Sequence, residues 1–507
     1  MVAKIQSAAL VGVDALQVEV EVQTSRGTPQ IDLVGLPELA VRESRVRVRS
    51  AVRHSGFKFP NSRVIVNLAP ADLRKDGSCF DLPIALGVLT CAGALTVDQT
   101  QGWVVVGELS LSGEVRPVRG VLAFAELAKR SQARGLLCAT GNVQQARLVE
   151  GLDVRGLDHL SEVPRALSAA SWHKEVDATP GAISEVEGCW SDVRGQVVAQ
   201  RALEVAAAGG HNAVMVGTPG TGKTMLARRL SSILPPLSAT EALTVTKIHS
   251  VAGLVPADAG LVAARPFRAP HHTSSPTALV GGGSYPRPGE VSLAHRGVLF
   301  LDELPEFTRS VIETLRQPLE DGHVTISRAR HVVRFPSQVM LIGALNPCEC
   351  GWLGSQVRRC ECSESRRRRY SSRLSGPLLD RIDVQVCLMP IPAEELRKSR
   401  GGETSEVVRG RVLKARERQR QRYGAPLTNA EVSMATLRSL SPLSAPVHEL
   451  MLRAITQFGL SPRSHDRIWR VARTVADLAG EAEIGSAHVA EALSYRHFDQ
   501  KRLVHSG

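Results

Sequence analysis

An α/β core, preceded by an α+β segment and followed by a helical one, is the fold this 507-residue sequence predicts, and three observations predict it. Between Asp192 and about Pro392 the continuous apolar runs NAVMVG, GVLFLD and VMLIGALN alternate with helix-forming stretches. Runs apolar at every position suit parallel strands buried on both faces, not half-exposed strands with period two. The glycine-rich string GTPGTGKT, residues 217–224, follows the first of these runs and opens a helix, MLARRLSSIL. The texture also changes along the chain. Residues 1 to about 165 mix β-like runs (LQVEVEVQT, RVIVNLAP, WVVVGELSL) with the helix-like VLAFAELAKRSQARG, whereas beyond Pro392 the pattern is almost wholly helical. The boundaries expected are an N-terminal domain at 1–168, a linker at 169–188 punctuated by Pro180-Gly181, a core at 189–392 and a helical segment at 393–507.

Composition narrows the classes. Hydrophobic residues at 43% and charged residues at 22% are those of ordinary globular domains. Lys+Arg 62 against Asp+Glu 50 leaves a net charge of +12, which favours a polyanionic partner; on charge alone a merely basic surface stands equally well. Aromatics at 4% argue against a stacking platform for single strands. The uncharged apolar run Leu82 to Val97 has 16 residues with Pro83 and two glycines inside it, short of the roughly 20 that a membrane span requires. Asp14 interrupts the start too early for an export signal, and nine cysteines in this length are no secreted disulfide framework, so the expected setting is the cytoplasm, away from membranes.

GTPGTGKT matches G-x-x-x-x-G-K-[ST] in the strand–loop–helix context that gives the motif its meaning. Gly217, Thr218, Pro219, Gly220, Thr221 and Gly222 form a loop whose backbone wraps the phosphates of ATP, helped by the positive end of the helix. Lys223 reaches the β- and γ-phosphates and Thr224 ligates Mg²⁺. The buried run Val298 to Leu301 ends in Asp302-Glu303, which places Asp302 at the metal through water and Glu303 at the attacking water. A third run ends at Asn346, whose amide would orient that water.

With GHNAVMVGTPGTGKTMLA, RPFRAPHHTSSPTALVGGG, PGEVSLAHRGVLFLDELPEF, LSGPLLDRID and RVARTVADLAG, the chain resembles the YifB/ComM family of magnesium-chelatase-like AAA+ ATPases. DVRGQ at 192–196 fits the element that opens the core, and IDLVGLPELAVRESRVRVRSA and VNLAPADLRKDGSCFDLPIALG extend the likeness to nearly the whole chain. The resemblance implies an AAA+ core with a C-terminal helical lid, and an N-terminal domain of the ribosomal S5 domain 2 or Lon-protease type. It implies that Arg381 is an arginine finger completing a neighbour's site, with Arg373 the runner-up. A finger contributes roughly 10³- to 10⁵-fold in rate, so a lone subunit would be nearly inactive and a homo-oligomer, a hexamer, is expected. In GLSPRSHDRIWR, Ser461 reads as a helix N-cap and Pro462 as the first helical residue. Arg463 then opposes the helix dipole, a conflict that a γ-phosphate would relieve. It is expected to be a second sensor acting on its own subunit's site, the alternative being a solvated arginine.

RKDGSCFDLPIALG, residues 74–87, is similar to the nucleophile loop of Lon-type proteases, with Cys79 near the nucleophile's place. Leu122, Ala123 and Phe124 occupy the stretch where the partner lysine belongs. A thiol with no base beside it stays protonated, so proteolysis is expected to be lost and the domain to bind DNA or organise a ring.

For a motor's grip, DGHVTISRARHVVRF reads as a hairpin with Arg328, Arg330 and His331 at its tip. In the resembled clade that tip faces a central pore, where it would meet DNA phosphates; a solvated turn is the alternative. Residues 265–290 form a long Gly-, Pro- and Ser-rich insertion, in which His271 and His272 are expected to make separate loop contacts. Cys348, Cys350, Cys360 and Cys362 could hold structural Zn²⁺ in a tetrahedron, although C-x-C is tighter than the usual spacing and free thiols remain the alternative. The cluster directly follows Asn346 and is expected to brace it. Arg366 to Arg369, and the basic residues of RGRVLKARERQRQRYG, add a general electrostatic surface. The resemblance points to an ATP-driven DNA translocase that promotes branch migration of recombination intermediates, with recombination proteins as further partners. The rivals are the motor subunit of a porphyrin metal chelatase, against which the N-terminal domain and the basic excess weigh, and a protein unfoldase. The unfoldase would need an aromatic pore loop, for which only Tyr285 offers itself.

Overall fold

The computed structural model describes residues 2–35, 39–73, 75, 77–172, 188–256, 259–283, 286–328, 331–355, 358–374, 376–391 and 401–496. Its N-terminal part is built on a seven-stranded mixed sheet in the order Ile31–Val34, Arg63–Ala69, Asp14–Ser25, Val2–Val11, Trp103–Val105, Gly135–Ala139, Val154–Leu157. The run from Leu82, apolar throughout, becomes the helix Asp81–Cys91, in which Leu82, Ile84, Leu86, Val88 and Leu89 are all buried. A helix apolar all round needs protein on every side, and the sheet together with the helix Leu39–His54 supplies it.

The second sheet has five strands in the order Phe267–Arg268, Val298–Leu301, Met340–Leu345, Ala213–Gly217, Val384–Leu388, every pair parallel. All of Ala213–Gly217, Val298–Leu301 and Met340–Leu345 are buried, as continuous apolar runs require. Parallel register brings the carboxyl ends of three central strands, and so Gly217, Asp302 and Asn346, to one edge. The stretch 265–290 is less of a bare loop than its composition suggests. It supplies the edge strand Phe267–Arg268, the helix Pro276–Val280 and a two-stranded ribbon of Gly281–Gly282 with Arg287–Pro288. Its prolines and glycines punctuate short elements instead of preventing them. Tyr285 lies outside the described residues.

Among the described residues, five helices close the chain: Ser405–Tyr423, Met434–Leu440, Ala445–Gln457, Pro462–Ala479 and Ser486–Ser494. The basic helix Ser405–Tyr423 is not the free electrostatic surface its composition suggests. Arg411 pairs with Glu204 at 2.5 Å and Glu403 at 2.5 Å, Arg409 donates to Ser232 O at 2.9 Å, and Arg416 donates to Ala207 O at 2.7 Å. Arg418 donates to Asp477 O at 2.6 Å, and Arg422 pairs with the Asp477 carboxylate. Arginines spread around this helix meet protein because it packs against both Val197–Gly209 and Pro462–Ala479.

The two sheets are joined by direct contact. Lys247 pairs with Asp14 at 2.6 Å and Glu126 at 2.5 Å, and Ser250 donates to Gln145 at 2.9 Å. Val13 shares one apolar cluster with Ile248, Leu293, Val324, Ile326, Val333 and Phe335, so the turn between the first two strands rests on the hairpin His323–Arg328/His331–Pro336.

Candidate nucleotide site

The glycine-rich loop lies between strand Ala213–Gly217 and helix Lys223–Ile233. Gly220 and Gly222 take φ of +79° and +88°, which residues with a Cβ rarely adopt; this is what keeps the loop's backbone free to curl. Lys223 Nζ donates to Gly217 O at 2.7 Å, Thr218 O at 3.1 Å and Asn346 Oδ1 at 3.1 Å. Burial lowers its pKa, a pull that the charges of Asp302 and Glu303 oppose. Thr224 donates its hydroxyl to Asp302 Oδ2 at 2.7 Å, so one hydroxyl and one carboxylate converge as a hard-oxygen donor set suited to Mg²⁺. Glu303 follows Asp302 at φ +51°, a left-handed conformation that is costly for a non-glycine residue and turns its carboxylate out of the strand direction.

Two contacts here escaped the sequence. His272 Nδ1 stands 3.4 Å from Glu303 Oε2, and the His271 and His272 rings lie 4.1 Å apart. His271 makes the expected loop contact, Nδ1 to the Thr273 hydroxyl at 2.8 Å, while His272 meets Glu303 because the edge strand Phe267–Arg268 ends beside the strand that carries it. Gln196, at φ +54°, donates to Met389 O at 2.6 Å and Thr221 O at 3.4 Å, tying the phosphate loop to the end of the neighbouring edge strand. A lone positive-φ glutamine leaves no sequence signal.

The expected sensor arginines sit elsewhere. Arg381 precedes strand Val384–Leu388, its carbonyl held by Asn212 Nδ2 at 3.1 Å, and its guanidinium pairs with Glu320. Arg463, in the first turn of Pro462–Ala479, pairs with Asp380 at 3.3 Å and is 70% exposed. Both line a cleft of about 630 Å³ at the amino ends of the strands, with Asp383 and Arg467. The phosphate loop is at the carboxyl ends, a five-residue strand or roughly 16 Å away. Arg463 therefore stands on the side of the sheet opposite its own subunit's phosphate loop in this structure. Ser461 caps the helix as expected, accepting from Ser464 N. Arg373 pairs with Glu306 at 2.9 Å, on the Glu303 side of the sheet.

The four cysteines come together, with sulfurs all within 4.8 Å of one another. Arg328 and His331 face each other in the hairpin ladder, while Arg330 lies outside the described residues. Cys79 is buried, its sulfur 3.9 Å from Ala8 O, and Leu122, Ala123 and Phe124 are buried where a catalytic lysine would be needed. No helix among the described residues is long and apolar enough to cross a membrane.

A phosphate loop after one parallel strand, an acidic pair after a second and an amide after a third, under a helical lid, define a P-loop protein of the AAA+ class. Comparison with known proteins narrows this. Residues 189–396 match the family described as magnesium chelatase, subunit ChlI; residues 20–142 match subunit ChlI of Mg-chelatase; and residues 402–496 match the subunit ChlI C-terminal family. The competence protein ComM of Haemophilus influenzae is 42% identical over 504 residues, covering 97% of each chain, and YifB of Escherichia coli is 40% identical over 504 residues, covering 99% of this chain and 98% of its own. The chain belongs to the YifB/ComM family. Membership in this AAA+ family implies ATP and Mg²⁺ as cofactors. Lon protease 2 of Bacillus subtilis is 25% identical over 164 residues, 29% of each chain, and bears out the Lon-like element of the fold.

Proposed function

We propose that this chain assembles with copies of itself into a ring, a hexamer, that hydrolyses ATP between neighbouring subunits and drives branched DNA intermediates of recombination. In this reading Lys223 and the loop's N–H groups hold the phosphates, while Thr224 and Asp302 hold Mg²⁺. Glu303 accepts a proton from the attacking water, oriented by Asn346. Arg381 and Arg463 reach the γ-phosphate of the adjoining subunit, and Arg328, Arg330 and His331 meet DNA phosphates in the pore. With ATP and Mg²⁺ we place a structural Zn²⁺ on Cys348, Cys350, Cys360 and Cys362, and the whole in the cytoplasm.

The observation that carries the ring is the position of Arg381 and Arg463, at the sheet edge opposite the phosphate loop. Support for DNA comes from the net charge of +12 and from the name of a near full-length relative, a competence protein. A magnesium-chelatase motor is the second reading, favoured by the family descriptions that match three segments of the chain. One of those segments is residues 20–142, so the N-terminal domain does not by itself weigh against it. ATP turnover measured alone, with branched DNA, with a porphyrin and with an unfolded protein separates the readings. Stimulation by branched DNA that vanishes in Glu303→Gln and Arg381→Ala supports the DNA motor, stimulation by porphyrin alone would replace it with the chelatase motor, and stimulation by unfolded protein alone with an unfoldase.

A further inference from the structure

We infer that the zinc held by Cys348, Cys350, Cys360 and Cys362 fixes Asn346 and the phosphate loop in the geometry that ATP hydrolysis needs, so that metal occupancy sets turnover. This rests on the reading of residues 217–224 as an ATP site and of the four thiols as zinc ligands.

The sulfurs already have the spacing of a metal cage. Cys348 and Cys350 are 3.4 Å apart, Cys350 and Cys360 3.6 Å, and Cys348 and Cys360 3.7 Å. Zn–S bonds of about 2.3 Å in a tetrahedron put sulfurs about 3.8 Å apart. All nine cysteines are free of disulfides, so no S–S bond gathers these four.

The cage also touches the nucleotide site directly. Gly351, the residue after Cys350, has φ +83°, and a methyl group there would stand 2.9 Å from Cγ and Cδ of Pro219 in the phosphate loop and 3.8 Å from Cγ of Asn346. The same loop turns back on itself through Gly351 N to Cys348 O at 2.9 Å. Asn346, two residues before Cys348, accepts from Lys223 Nζ at 3.1 Å. On the other side of the cage, helix Glu364–Ser372 starts directly after Cys362 and carries the buried Tyr370. One metal ion would tie together both segments that flank Asn346.

The test uses the full chain, purified without added metal. Elemental analysis should give one zinc per chain, and a zinc-selective chelator in excess Mg²⁺ should expose four thiols to a thiol reagent. Removal should lower ATP turnover at least tenfold with the far-ultraviolet dichroism unchanged, and Zn²⁺ should restore it. Cys360→Ser, at a half-buried ligand, should reproduce the loss. Gly351→Ala removes no ligand but strains the left-handed turn and crowds Pro219, so it should keep its zinc and still lose turnover. A chain that carries no tightly held zinc overturns the inference, and so does a zinc-free chain, or a Gly351→Ala chain, that turns over ATP at the full rate. Failure of the underlying ATP reading looks different: the zinc-loaded chain would then bind no fluorescent ATP analogue at all.

Discussion

At the scale of single residues, the proposed chemistry concentrates on Glu303. Its backbone is left-handed and its carboxylate stands 3.4 Å from His272 Nδ1. Glu303→Gln should cut turnover by about 10²- to 10⁴-fold, the usual contribution of a positioned base, with nucleotide affinity unchanged. His272→Ala, by freeing the carboxylate, should raise turnover in the absence of DNA several-fold; steady-state hydrolysis and binding of a fluorescent analogue measure both. Lys223, Thr224 and Asp302 could be read from the sequence because fixed spacing on a strand–loop–helix unit determines where they go. His272 could not, because its meeting with Glu303 depends on which strand pairs with which. A second residue-scale prediction concerns acid. His295 is buried, and burial with the neighbouring charges of Arg296 and Arg265 pushes its pKa down to about 3, against the opposing pull of Glu241. The unfolded chain takes up this proton near pH 6.5, whereas the folded chain refuses it until about pH 3. Acidification from pH 7 to 5 should therefore remove about 2 kcal/mol of stability through this group alone. Urea unfolding at the two pH values checks this, and His295→Gln should flatten the difference.

At the scale of elements, the hairpin His323–Arg328/His331–Pro336 was visible in the sequence from its β-branched residues flanking a cationic turn. What supports it was not visible. Gly12, at φ +67° in the turn between the first two strands, comes so close that an added methyl would lie 2.3 Å from Cγ1 of Val333. A glycine in a turn has no apolar pattern to announce a partner more than three hundred residues away. Gly12→Ala combines a left-handed backbone with overpacking and should cost about 2–4 kcal/mol. Thermal unfolding gives that cost, and DNA stimulation should fall by a larger factor than basal turnover if the N-terminal domain props the hairpin. The lid is clasped in a comparable way: His211 bridges Asp383 at 3.1 Å and Thr474 at 2.7 Å, and Arg467 also pairs with Asp383. The sequence shows these as scattered polar residues, since burial alone makes them partners. Asp383→Asn leaves the partly buried Arg467 without its counter-charge and takes the carboxylate partner from buried His211, and should cost about 3–5 kcal/mol, measured by urea unfolding.

For the whole molecule, the decisive geometry is that one chain carries the phosphate loop at one edge of its sheet and Arg381 and Arg463 at the other. The motifs alone could name these residues but could not say which share a site within one chain, because that depends on which ends of the parallel strands they flank. If hydrolysis needs both edges, each complete site is shared between two subunits, and two different inactive variants can repair one another. A subunit with Arg381→Ala keeps Glu303 intact, and one with Glu303→Gln keeps Arg381 intact. When the Arg381→Ala subunit offers the loop and the Glu303→Gln subunit offers the finger, the site between them has every group. Random mixing in equal amounts makes roughly one interface in four complete, so turnover should rise from near zero to about a quarter of the wild-type rate. The recovered activity should also depend steeply on protein concentration, since dilution dissolves the interfaces on which it depends. If hydrolysis were completed within each subunit, the mixture would stay as inactive as its two components at every ratio and concentration, and the shared site would be wrong.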